Sequence, residues 1–584
     1  TAGCVVASRL SEDPNVSVVV LEAGPSHLND PHIDNPSVFL KALLDSEYDY
    51  QYTTVPQPEM DRPPTMFPRG RGLGGTSQIN WMIWNVPQRE EVEAIGKLGN
   101  EGWTWENFAK YQKKVQRYVT SFLTCRLSVL DLRSRFYAPS KDHLADFRSL
   151  YHLESVGHEG EGVVGTYKNI SNIDPNTGKR AYSATTYLLP ALYRPNLKVL
   201  TGAYVHKILT EAQAERVTAF DVEFEHSGSI YTVHCKTEVV VCAGTVKSPH
   251  ILELSGIGDR NILEPLGINV KIDLPGVGAN VQEHISMGFN RWSEYEFRSF
   301  LMLNSHALRR LGGSGLSDAI QMVVNSVSFI PIQVGSDRAD NLVQKQKEKV
   351  ARISSTLSPG LKAQYELQLQ MLEDPNVPDY EILFFPFMMD IFPNPEPKKP
   401  YLNMLPTLGH PFSRGTIHAG SADPKASPVI DPHYYEEEID LDIMVDGVKF
   451  IREVSKTEPF SRTIEREELP GPEVQTDAQI YVITIRLILT YDFSRRGVDT
   501  CGSNSMLPRE KGGVVDSKFR VYGTRNIRVV DLSVLPLHTA VHPQGEDSPF
   551  AAEVTGSPLH VQPATVYTLA EMGEYCDTSI RYIV

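Results

Sequence analysis

The chain is poor in cysteine, with six in 584 residues, at positions 4, 125, 235, 242, 501 and 576. None stands in a C-x-x-C pair or alternates with histidine at zinc spacing, so the sequence signals neither a disulfide framework nor a metal site. Long apolar runs are missing too. No window approaches the roughly 20 apolar residues of a membrane span, and no membrane span is expected. There is no excess of positive charge, since 56 Lys and Arg stand against 72 Asp and Glu, a net charge of −16. That balance argues against nucleic acid or an anionic membrane as partner and describes a solvated acidic surface. Position 1 lacks a methionine: Thr1 leads straight into an apolar pattern, and the chain reads as a fragment with any signal peptide out of view. The sequons Asn15-Val-Ser17 and Asn169-Ile-Ser171 are compatible with a secreted protein, although such triplets often arise by chance.

What is present is an ordinary globular composition, 41% hydrophobic, in a chain long enough for two intertwined domains. Residues 2–10 are small and apolar at helical spacing, Asp13-Pro14-Asn15 is a turn, and Val16 to Leu21 is a β-branched run suited to a buried parallel strand. Glu22 ends that strand. The pattern predicts the back half of a Rossmann unit in an α/β domain. Gly3 takes the place of the third glycine of G-x-G-x-x-G, and Glu22, 19 residues on, that of the carboxylate that bonds an adenosine ribose. The first strand and the first two glycines are expected ahead of Thr1. Alone, the stretch reads equally well as an ordinary helix–strand pair.

A glycine-rich loop follows, Pro68-Arg-Gly-Arg-Gly-Leu-Gly-Gly-Thr-Ser-Gln-Ile-Asn80, whose backbone N–H groups suit a pyrophosphate. Residues 238–258 read as a strand, Glu238-Val-Val-Val-Cys-Ala-Gly244, then a helix opened by Ser248-Pro249. Loop 68–87 resembles the first signature of the glucose–methanol–choline (GMC) oxidoreductases. Residues 244–258 resemble the second at Gly244, Ser248, Pro249, Ile251, Leu252, Ser255, Gly256 and Gly258. Leu98-Gly-Asn-Glu-Gly-Trp-Thr-Trp105, Pro275-Gly-Val-Gly-Ala-Asn-Val-Gln-Glu-His284 and Asp531-Leu-Ser-Val-Leu-Pro536 are similar to further family segments.

The resemblance implies a Rossmann-type FAD-binding domain (residues 1–285 and 499–584) and a substrate domain built on an antiparallel sheet (residues 286–480), which parts of 120–195 join. It implies FAD as cofactor, held by Gly3, Glu22, Ala23, Gly74, Gly75, Thr76, Asn80, Met82, Val205, Gly244, Asp531, Pro543 and Thr565. The implied activity is oxidation of a small primary alcohol, aromatic or allylic, with electrons passing on to oxygen or a quinone. Two alternatives stay open: a hydroxynitrile lyase of the same family and a catalytically inactive flavoprotein.

Alcohol oxidation removes a hydride from carbon and a proton from oxygen. The flavin takes the first, and imidazole is the side chain best suited to the second. Family members carry one histidine ahead of a G-T-C-x-M segment and a second His or Asn near the C-terminus. Pro536-Leu-His-Thr-Ala-Val-His-Pro-Gln544 resembles the second position and assigns it to His542, with His538 as a structural residue. At the first position stands Asp499, in Asp499-Thr-Cys-Gly-Ser-Asn-Ser-Met506, and no histidine occurs between His433 and His538. A carboxylate near its ordinary pKa of about 4 is a weaker base than imidazole unless burial raises it by ~2–3 units, so impaired activity is expected. Three stretches, 115–134, 481–498 and 545–563, interrupt the family pattern and read as misjoined gene segments. The last contains His560-Val-Gln-Pro-Ala-Thr565, which mimics the His-Pro-Gln segment, but the register set by Asp531 to Pro536 favours His542.

Overall fold

The computed structural model describes the chain apart from residues 58–63, 116–163, 294–325, 386–400, 491–498 and 543–580 and the positions 169, 175, 214–215, 288, 458–459 and 584. The β-branched run after the Asp13-Pro14 turn forms the strand Val18–Glu22, with Val18, Val20 and Leu21 buried. Its period is that of a strand covered on both faces. Each apolar side chain so buried contributes about 1.5–3 kcal/mol. The helix Ala2–Leu10 packs on it through Val5 and Val6.

Five parallel strands make the first sheet, in the order Ile527–Val529, Glu238–Val241, Arg581–Ile583, Val18–Glu22, Leu197–Thr201. Between Val18–Glu22 and Glu238–Val241 the sheet has one further slot. It is filled from the other end of the chain, by Arg581–Ile583, which pairs in parallel with both neighbours. A strand needs only backbone N–H and C=O groups in register, so a short segment from any distance satisfies two open edges.

The second sheet is antiparallel. Its main path runs Ile464–Leu469, Phe289–Ser293, Tyr401–Leu408, Tyr380–Phe385, Ser326–Ile330, Gly165–Lys168, and Ile285–Ser286 pairs beside Phe289–Ser293 on Tyr401–Leu408. The 19-residue helix Glu438–Lys456 covers it, burying Leu441, Met444, Val448 and Ile451. Helices Ala339–Ile353 and Pro359–Glu373 add to the same core. The helix Asp477–Thr490 takes up the first part of stretch 481–498 and docks through Thr484, whose Oγ1 lies 3.1 Å from Met287 Sδ. Stretches 116–134 and 545–563 lie outside the described residues. Among the described residues no helix is long and apolar enough to cross a membrane.

Candidate active site

The C-terminal ends of the parallel strands open into one cavity, and its walls are largely backbone. Glu22 ends its strand there; its Oε1 accepts the Gly24 N–H at 2.7 Å, and burial pushes its carboxyl above the usual range. A buried carboxylate of this kind calls for hydroxyl donors, which a ribose supplies. At Gly75, φ is +54° and an added Cβ would lie 2.9 Å from Thr1 N, so only glycine lets the loop approach the start of helix Ala2–Leu10. Gly244 also has positive φ, +78°. It lines the cavity, and a Cβ there would meet nothing within 4 Å, so its bare backbone leaves space for a ligand.

The turn at Gly244 is fixed by Asp531. Its Oδ2 accepts Gly244 N–H at 2.9 Å and Ser248 Oγ–H at 2.5 Å, and its Oδ1 accepts Ser533 N–H at 2.9 Å. The hydroxyl of Tyr52, on the same wall, has no hydrogen-bond partner among the described residues. A nucleotide cofactor fits this cavity: backbone for phosphates, a carboxylate for ribose, and a free polar atom.

Glu22, Ala23, Gly75, Thr76, Val205, Gly244 and Asp531 all line the cavity. Gly3 sits within helix Ala2–Leu10, behind Thr1 and Ala2, which do line it. Gly74 stands just behind the wall, its carbonyl accepting Thr1 Oγ1–H at 2.8 Å. Asn80 and Met82 are placed otherwise than expected. Asn80 Oδ1 accepts Arg180 Nη1–H at 2.9 Å and Met82 N–H at 3.1 Å, a buried turn away from the cavity wall. Met82 is fully buried against Phe39. Pro543 and Thr565 lie outside the described residues, as does His560.

At the far end, Thr500 lines the cavity, and its neighbour Asp499 sits among buried histidines. Residues 282 and 501 exchange backbone hydrogen bonds, and that bridge sets His284 beside Asp499. His284 Nδ1 lies 3.3 Å from Asp499 Oδ2, and its Nε2 lies 2.7 Å from the Thr539 carbonyl. His542 Nδ1 lies 2.7 Å from the same Oδ2, and its Nε2 lies 2.8 Å from Oε1 of Glu381, on the second sheet. His538 stacks on His284 with centroids 3.8 Å apart, and burial holds it well below the ordinary imidazole value, a neutral packing residue.

Burial disfavours charge on Asp499, but His542 and His284 outweigh it and hold the carboxyl well below the usual range. The condition under which Asp499 could match an imidazole as a base, a value raised by burial, is therefore not met: two imidazoles against one carboxylate win over desolvation. Burial likewise opposes charge on His542, and Glu381 and Asp499 outweigh it, so His542 stands well above an ordinary imidazole. The pair is a charged dyad. His284 and Glu381 are the site residues missed from sequence. His284 closes the Pro275 to His284 motif and Glu381 lies in a readable strand, yet only the fold shows that they meet.

A GMC oxidoreductase family model matches residues 3–286, and the model of its C-terminal part matches residues 411–546. Mala s 12, a GMC oxidoreductase family protein of Malassezia sympodialis, is 32% identical over 570 residues, covering 93% of this chain and 88% of that protein. An FAD-dependent oxidoreductase from Chaetomium thermophilum superposes with a TM-score of 0.81 at 24% identity, over 97% of this chain and 96% of that one. A fungal aryl-alcohol oxidase superposes with a TM-score of 0.77 at 22% identity, over 98% and 96% of the two chains. With both family models matched and a relative of comparable length at that identity, the chain belongs to the GMC oxidoreductases, FAD-dependent enzymes that act on alcohol-type donors.

Proposed function

We propose that the protein oxidises small primary alcohols, aromatic or allylic, to aldehydes, and that oxygen or a quinone takes the electrons onward. The observation that carries this reading is the adjacency of Thr500 and Asp499, which sets the buried Asp499–His542 dyad next to the wall of the cofactor cavity. Bound FAD supplies a two-electron acceptor for the hydride. The hydroxyl proton goes to the Asp499 carboxylate, the unprotonated member of the charged dyad, and its low proton affinity makes this the slow step. Glu381 fixes the outer nitrogen of His542, and His284 and Thr539 fix the far side of Asp499, so the dyad is held in place before substrate arrives. The name of the superposable aryl-alcohol oxidase supports a flat substrate; the fold likeness itself carries the architecture alone.

The test is anaerobic mixing of the purified flavin-containing protein with an aryl alcohol, followed by flavin absorbance. Bleaching with formation of one aldehyde per flavin is expected. Flavin that stays oxidised with aryl and allylic alcohols alike overturns the reading. Release of cyanide from a cyanohydrin under the same conditions, without bleaching, points instead to lyase chemistry.

A further inference from the structure

Imidazoles that bind a metal through one nitrogen commonly give the other N–H to a carboxylate or a backbone carbonyl, which fixes the tautomer and the ring. Both histidines beside Asp499 are anchored in this manner. His284 Nε2 faces the Thr539 carbonyl at 2.7 Å. A carbonyl only accepts, so Nε2 carries the hydrogen and Nδ1 of the neutral ring presents its lone pair. His542 Nε2 faces Glu381 Oε1 at 2.8 Å, so the ring stays held from outside when Nδ1 gives up its proton. The two Nδ1 atoms converge on a single oxygen, Asp499 Oδ2, at 3.3 and 2.7 Å. Protons hold these three atoms together in the metal-free protein, and a divalent ion that displaces them can bind all three at once.

We propose that His284, Asp499 and His542 form a binding site for one divalent transition-metal ion of the zinc class, with Glu381 and the Thr539 carbonyl as outer anchors of the two imidazoles. Each of the three residues is buried and offers one ligand atom within 4.8 Å of the other two. Glu381 is completely buried, and apart from its ion pair with His542 neither of its oxygens receives a hydrogen bond among the described residues. Ligand bonds of about 2.0–2.1 Å at a tetrahedral angle put donor atoms roughly 3.3 Å apart. The His284–Asp499 separation has that value already, and the His542–Asp499 contact has to open by about 0.6 Å.

Two imidazoles and one carboxylate select zinc or iron(II) over magnesium and calcium, which take oxygen ligands. Three protein ligands leave a position open for water or substrate. Asp499 is the residue that makes the set: it stands where the family resemblance expects a histidine, and it adds the anionic ligand that offsets the ion's charge. The ion uses the same Asp499 oxygen that proton acceptance needs, so metal and alcohol turnover exclude each other at this dyad. The binding claim itself does not depend on which substrate the flavin oxidises.

The experiment is calorimetric titration of the chelator-treated, flavin-containing protein with Zn2+ alone and, separately, with Mg2+. Zn2+ binding at one ion per chain and no response to Mg2+ are expected. Asp499→Asn should weaken Zn2+ binding by more than about 100-fold and Glu381→Gln by about 10–100-fold, each checked for retained flavin absorbance. Should either variant lose its flavin, X-ray absorption of the zinc-loaded unmutated protein decides: imidazole scattering from two histidines supports the site, and an all-oxygen shell overturns it. No stoichiometric Zn2+ binding, or equal binding in a flavin-replete Asp499→Asn protein, also overturns it. Alcohol oxidation, where present, should be inhibited by Zn2+ and restored by chelator; inhibition without stoichiometric binding counts against the site, and the flavin-bleaching result is left untouched.

Discussion

The nucleotide end and the reaction end of this molecule are built from different materials. At the nucleotide end, backbone does most of the work: glycines at 75 and 244 clear space, and Asp531 accepts backbone and hydroxyl hydrogens to hold the turn. At the reaction end, ionisable side chains from four separated segments meet out of water: His284, Glu381, Asp499 and His542. A backbone-built site tolerates variation around a few fixed positions. A site made of buried charges responds to a single exchange, because each charge sets the state of its neighbours. Asp499 illustrates the second case, since its carboxylate, together with that of Glu381, makes His542 a cation.

Removing the strand Arg581–Ile583 should break the nucleotide end most severely. The strand lies between two open edges of the parallel sheet, and its loss leaves the backbone groups of Val18–Glu22 and Glu238–Val241 unpaired in the core. A chain ending at residue 580 should lose an amount comparable to the whole stability of a domain, about 5–15 kcal/mol, and purify without flavin. A truncated chain with full flavin absorbance and unchanged thermal unfolding would remove this strand from the sheet.

Asp531→Ala comes next. It strips the acceptor from Gly244 N–H, Ser248 Oγ–H and Ser533 N–H together. Leaving buried donors unsatisfied costs about 1–3 kcal/mol each, partly relieved by rearrangement, so a net loss of about 2–4 kcal/mol is expected. Denaturant titration measures it, and flavin content should fall in parallel. Asp531→Asn, which keeps an acceptor oxygen, should recover part of both.

At the reaction end the corresponding exchange is Asp499→His. It removes one of the two carboxylates that hold His542 cationic and puts an imidazole beside it, where the family resemblance expects one. The rate of anaerobic flavin reduction by an aryl alcohol should rise by about 10–100-fold. The variant should retain flavin, because the cavity wall next door is Thr500 and not Asp499. A flavin-replete variant with no gain in rate would show that the dyad does not take the proton.

The two ends also differed in how much of them could be read from the sequence. The valine run of Val18–Glu22, the glycine turn at 244 and the acceptor at Asp531 are local patterns, and each carries its own signature. The strand Arg581–Ile583 has none: three residues give no periodicity, and its place in the sheet depends on edges more than 300 residues away. His284 and Asp499 are 215 positions apart and meet only because residues 282 and 501 share a backbone bridge. The partners of Asn80 were not legible either: its side-chain oxygen accepts from the Arg180 guanidinium, 100 positions away, as well as from the nearby Met82 N–H. The direction of the Asp499 shift was illegible for the same reason, since its cause lies in residues 284 and 542.

The smallest expected effect tests whether the nucleotide end is as free of electrostatic strain as its backbone construction suggests. Lys247 lines the cavity beside the ring of Tyr204, with His250 Nδ1 3.2 Å from its Nζ and the Asp423 carboxylate raising it against burial. Burial pushes Lys247 down to about 8, and burial with the Lys247 charge pushes His250 down to about 3, so the histidine is neutral and accepts from the ammonium. A lysine whose folded value is depressed binds its proton less well folded than unfolded. Below about pH 8 it is charged in both states and its desolvation cost is fully present. Between there and the unfolded value of about 10.4 the folded chain releases the proton first, and stability rises with pH. Lys247→Met should therefore stabilise the protein by about 1–2 kcal/mol at neutral pH, after discounting for partial exposure, and the gain should vanish above about pH 10.4. Thermal unfolding of the two proteins across that range reads it directly. A loss of stability that tracks flavin content would place the lysine on an anionic group of the cofactor, and the nucleotide end would then share the charge dependence of the reaction end.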